Sequence, residues 1–97
     1  MEKRGAIMLY FKLPVAEYEF LISIDDAMFK NSENIVQTNN IVQINFKDEL
    51  QLEDFQADMS GAQVYYGMSP NDELTDIGRR MQDIYDSYFV QKNKMIS

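Results

Sequence analysis

The chain has 97 residues, nine basic and sixteen acidic side chains, a net charge of −7, 45% hydrophobic residues, and neither cysteine nor histidine. That length and composition suit one globular domain spanning residues 1–97. The two missing residue types exclude a disulfide framework, thiolate and imidazole metal sites, and Cys-His or Ser-His-Asp nucleophile systems.

The charge is segregated. Between Glu17 and Asp76 thirteen carboxylates stand against two cations, Lys30 and Lys47, a local net charge of −11. The other cations lie toward the ends, at Lys3, Arg4, Lys12, Arg79, Arg80, Lys92 and Lys94. A field of this kind steers partners of opposite sign.

Residues 1–5 read as a flexible leader. The apolar run that follows stops at Lys12, too short for a signal sequence or a membrane span, so a soluble, cytoplasmic protein without membrane contact is expected. Gly5–Leu13 alternates Ile7, Leu9, Phe11 and Leu13 with Met8, Tyr10 and Lys12, the pattern of a half-buried strand. After Pro14, Val15–Ile24 continues the alternation, with Ala16, Tyr18, Phe20, Ile22 and Ile24 on the inner side, and is expected to be a second strand. A helix started by Pro14 is the competing reading.

Ser23 to Lys30 suits one helical turn after a serine cap. Ile35–Thr38 and Ile41–Ile44, joined by Asn39-Asn40, predict a hairpin with Val42, Ile44 and Phe46 on the buried face. From Asp48 to about Met59 the composition turns helical, with Leu52, Phe55 and Met59 on one face and Gly61 as terminator. Ala62–Gly67 reads as a short last strand. Ser69 and Pro70 then signal the start of a long C-terminal helix over 70–92, whose seam is Leu74, Ile77, Met81, Ile84 and Tyr88. Gly78 weakens that helix unless its bare backbone permits a close approach. The expected architecture is α+β: a mainly antiparallel sheet of four or five strands covered on one face by this helix.

The carboxylate pairs Asp25-Asp26, Asp48-Glu49, Glu53-Asp54 and Asp72-Glu73 lack the alternating spacing of a calcium loop, and neighbouring residues diverge on either a strand or a helix. No metal, no cofactor and no catalytic residue is assigned, and the chain is read as a non-enzyme. Direct nucleic-acid binding is opposed by the net charge. What remains is acid beside aromatic, because consecutive Tyr65 and Tyr66 cannot both face inward from a strand. Rings rimmed by carboxylates have the composition of a protein-binding patch aimed at a basic partner.

In length, acidity and abundance of Asn, Ile and Lys without Trp, the chain resembles in type, though through no motif, small phage-encoded inhibitors and toxin-immunity proteins. The expected function is inhibition by occupying a basic, nucleic-acid-binding site on a target enzyme, with carboxylates standing in for phosphates. The expected contact residues are Glu17, Glu19, Asp25, Asp26, Asp48, Glu49, Glu53, Asp54, Asp58, Tyr65 and Tyr66. The alternative is a homodimeric assembly module joined through the C-terminal seam, or through a strand edge at Ile7–Leu13 or Ala62–Gly67.

Overall fold

The computed structural model describes residues 9–96. The expected leader and the part of the first strand before Leu9 lie outside the described residues. Strand β1, Leu9–Pro14, buries Leu9, Phe11 and Leu13 and turns Tyr10 and Lys12 outward, as the alternation requires. Pro14 (φ −60°, ψ 148°) then caps helix α1, Val15–Ile24. The second strand expected there does not form. Val15, Tyr18, Leu21 and Ile24, spaced by three, are the residues of this segment that reach the core, with Phe20 beside them. That stripe is a helical one, and it outweighed an alternation that placed Leu21 outside.

Asp25, not Ser23, caps the 3-10 segment Asp26–Lys30, its Oδ1 accepting from the Ala27 amide at 3.0 Å. Met28 and Phe29 of this segment enter the core.

Strands β2, Asn34–Thr38, and β3, Ile41–Phe46, form the expected hairpin. Asn39 takes the left-handed conformation (φ 57°) that asparagine tolerates in a tight turn. Among the described residues the sheet has three antiparallel strands in the order β1-β3-β2, not four or five. Phe11 lies opposite Ile44, and Val36 opposite Gln43.

The free edge of β1 is blocked by the last helix, α3, Asp76–Met95. The Lys12 amide donates to Gln91 Oε1 (2.8 Å), Gln91 Nε2 donates back to the Lys12 carbonyl (2.7 Å), and the Tyr10 amide donates to the sulfur of Met95 (3.4 Å). Pro14 has no amide hydrogen to satisfy. Side chains of α3 thus replace a fourth strand.

Helix α2, Glu49–Gly67, is capped by Asp48, which accepts from the Gln51 amide at 2.9 Å, while Gln51 Oε1 accepts from the Lys47 amide at 2.7 Å. Gly61 does not end the helix, and the strand expected at Ala62–Gly67 is its last turns. Ala62, Gln63 and Gly67 are buried there. Gln63 Nε2 donates to Gln82 Oε1 of α3 at 2.7 Å. Tertiary packing therefore overrode the β propensity of Val64, Tyr65 and Tyr66.

The Ser69-Pro70 signal builds a turn instead of a helix start. The Asp72 amide donates to the Ser69 carbonyl (3.0 Å), Asp72 takes φ 61°, and the Ser69 hydroxyl accepts from the amides of Asn71 and Glu73. Thr75 is the true cap of α3, its hydroxyl oxygen accepting from the Gly78 amide at 3.1 Å. Helices α2 and α3 run antiparallel and touch backbone to backbone at Gly67 and Gly78. A Cβ on Gly67 would stand 2.6 Å from the Gly78 Cα, and one on Gly78 would collide with the Gly67 carbonyl. The close approach left open by the sequence is the reason for Gly78. Of the expected seam, Met81, Ile84 and Tyr88 are buried, while Leu74 precedes the helix and Ile77 is exposed.

At the centre is Phe55 of α2, fully buried. Its ring lies 6.1 Å from Phe11 of β1, 5.2 Å from Phe46 of β3, 5.8 Å from Phe29 of the 3-10 segment and 5.9 Å from Tyr88 of α3. The Tyr88 hydroxyl donates to Gln56 Oε1 at 3.1 Å. Burial, with Tyr85 and Glu53 adding negative charge nearby, pushes the Tyr88 phenol well above its usual range.

Phe55→Ala is expected to cost about 3–5 kcal/mol, enough to leave much of the chain unfolded in a urea titration followed by circular dichroism. Gly61 has open space where a Cβ would go, so Gly61→Ala should stabilise by about 1 kcal/mol. Gly78→Ala should destabilise by about 1–3 kcal/mol, because the obstacle is backbone, and thermal melts of the two variants should move in opposite directions. The Tyr88 value is raised in the folded state, so the stability is whole below the unfolded phenol's pKa of about 10 and falls as pH rises past it. Alkaline absorbance titration should show one phenol ionising late, together with loss of helix, and Tyr88→Phe should abolish that late step.

Candidate functional site: an acidic groove lined by tyrosines

Asp54, Asp58 and Tyr65 stand four and seven residues apart along one edge of α2, the spacing that aligns side chains on a helix. This edge faces Asp25 and the 3-10 segment. Between them runs an open groove of about 290 Å³ lined by Asp25, Ala27, Asp58, Gly61, Tyr65 and Tyr66. The two tyrosine rings meet edge to face, centroids 4.7 Å apart, and Tyr65 is 79% exposed. Gly61 leaves the groove floor bare.

The walls are held in place by hydrogen bonds. Asn31 Nδ2 donates to Asp58 Oδ2 at 2.6 Å and to the Met28 carbonyl at 3.3 Å, tying α2 to the 3-10 segment. Asp25 is held by its capping bond to Ala27. Among the described residues the ion pairs are Arg79–Asp76 (2.9 Å) and Arg80–Glu17 (2.6 Å). Asp25 and Asp58 belong to neither. A groove that sets carboxylates outside those two ion pairs beside ring faces can take a guanidinium or ammonium group, which gains from both.

The remaining expected contact residues are distributed differently. Asp48 and Asp54 line a second groove, about 180 Å³, together with Lys30 and Lys47, so both central cations sit among acids there. Asp54 therefore lines this second groove and not the first, although it lies one helical turn from Asp58 on the same edge of α2. Glu49 and Glu53 lie on the opposite edge of α2, Glu53 near enough to act on the Tyr88 phenol. Glu17, on α1, is matched by Arg80, whose guanidinium also lies 4.2 Å from the Phe20 ring centroid. Glu19 is exposed on α1, and Asp26 is exposed at the start of the 3-10 segment. The structure brings Asp25, Asp58, Tyr65 and Tyr66 together and separates Glu17, Glu49 and Glu53 from them.

Sequence reasoning did not find Gly61, Ala27 or Asn31 as parts of this site. The available signal was the helical spacing from Asp54 through Asp58 to Tyr65, which the reading of Ala62–Gly67 as a strand concealed. Equally informative is where acids are missing, since the only charged side chain in the three strands is Lys12. Among the described residues no three acidic side chains are grouped to hold a metal ion, and no helix is long and apolar enough to cross a membrane. No family model matches the chain, and no curated protein or solved structure matches it either.

Proposed function

We propose that this protein is a small acidic inhibitor that binds another protein and occludes a basic, nucleic-acid-binding site on it, carboxylates taking the place of phosphates, with no catalysis of its own. One observation carries the reading. Asp25 and Asp58, outside the ion pairs of the described residues, flank two exposed, mutually packed tyrosines in one open groove. Tyrosine supplies large contact area at low entropic cost and arginine-rich surfaces supply the complement, the combination that dominates binding energy in many interfaces. Asp54 extends the same edge of α2, so a basic groove on the target would meet a line of negative charge ending in rings. Such an encounter is fast and weakens steeply with salt.

The test uses a partner captured from the native cell on the immobilised full chain and competed off by duplex DNA. Asp25→Asn with Asp58→Asn should weaken its binding about tenfold or more and flatten the salt dependence, and adding Tyr65→Ala should weaken it about tenfold further. Glu49→Gln with Glu53→Gln, on the far edge of α2, should change affinity little. Unchanged binding by the triple variant, or no competition by DNA, would refute the proposal.

A further inference from the structure

The two edges of the sheet are treated differently by the fold. Tyr10 and Lys12 of β1 direct their backbone groups away from β3, and α3 satisfies them through Met95 and Gln91. By the alternation of an antiparallel ladder, Asn34, Val36 and Thr38 then bond to β3, and Ile35 and Gln37 direct their amides and carbonyls outward from the far edge. Among the described residues nothing accepts from or donates to those outward groups. Within β2 two usual protections of a strand edge are absent: it reads Asn-Ile-Val-Gln-Thr, with no lysine or proline. Its register against β3 is unbroken from Asn34 to Thr38, the second contact to Asn45, from the Glu33 amide, lying just before it.

We propose that β2 is a self-association edge, pairing antiparallel with β2 of a second copy across a two-fold axis at Val36 to make a continuous six-stranded sheet. The strand suits itself in that register. Ile35 faces Gln37 of the other copy, Asn34 faces Thr38, and Val36 faces its own equivalent, which gives about four new backbone hydrogen bonds. Glu33, the nearest acid, falls opposite Asn39 and meets no like charge. On the outer face Val36 is 47% exposed and Ile41 42% exposed, and both lie in the shallow open trough beside the hairpin.

The charge distribution admits a second copy at this edge, and the self-complementary register favours it. Two copies of a chain carrying −7 repel wherever their acids meet. The strands hold no acid, so the β2 edge is a place where a second copy approaches with backbone and uncharged side chains only. The acidic groove lies between α2 and the 3-10 segment, and none of its lining residues belongs to a strand. The association therefore stands or falls independently of the proposed inhibitory function.

Sedimentation of the full chain at rising concentration should show a monomer–dimer equilibrium. Val36→Lys places two like charges in the close pair on the axis and should weaken the dimer roughly tenfold or more. Val36→Glu should do the same alone, and an equimolar mixture of V36K and V36E should dimerise again. Amide exchange of the unmodified chain tests the same edge without a variant: Ile35 and Gln37 should become protected as concentration rises. A chain that stays monomeric at about 200 µM, a dimer that V36K leaves intact, or exchange at Ile35 and Gln37 that ignores concentration would each overturn the proposal; a strand taken only from another protein would appear as the first of these.

Discussion

Phe55 is the residue on which the other elements converge. Its ring meets one ring from each of β1, β3, the 3-10 segment and α3, so elements far apart in the chain share one contact centre. In a domain this small there is no second core to take over. Tilted ring pairs are favourable but geometrically demanding, and five aromatic residues in contact fix the angle at which the helices meet the sheet. The backbone contact of Gly67 with Gly78 sets the other constraint, how closely α2 and α3 approach. Together they orient α2, and with it the acidic edge.

The distribution of charge follows from this packing. The strands give their inner face to Leu9, Phe11, Leu13, Val42, Ile44 and Phe46, and the outer face carries Tyr10, Lys12, amides, a hydroxyl and apolar side chains but no acid. On that face Gln43, Asn45 and Asn34 form a chain of carboxamide hydrogen bonds at 2.7 Å each. The acids therefore reside on helices and turns. Some of them cap: Asp25 and Asp48 accept from backbone amides at element starts. The same Asp25 carboxylate borders the groove, so one side chain both starts the 3-10 segment and shapes the surface presented to a partner.

Several elements were legible because their signals are local. The alternation of β1, the hairpin around Asn39-Asn40, the Asp48 cap and the face formed by Leu52, Phe55 and Met59 depend on neighbouring residues alone, and all appear in the structure. Where two local signals competed, the chain did not settle the outcome. Val15–Ile24 fits both a period of two and a spacing of three, and burial of Leu21 against the sheet decided for the helix. Ser69-Pro70 suits a helix start as well as a turn, and the need to bring Gly78 onto Gly67 left the turn.

The sequence by itself determined that the protein is acidic, α+β and without thiol or imidazole chemistry, because composition and short-range periodicity are properties of the chain before it folds. Only the tertiary structure decided which acids act together. Asp25 and Asp58 converge from distant segments, while Glu17 is paired with Arg80 from the far end of the chain. The physical reason is that side-chain proximity across a groove depends on how helices pack, and packing is set by long-range burial that no local pattern encodes.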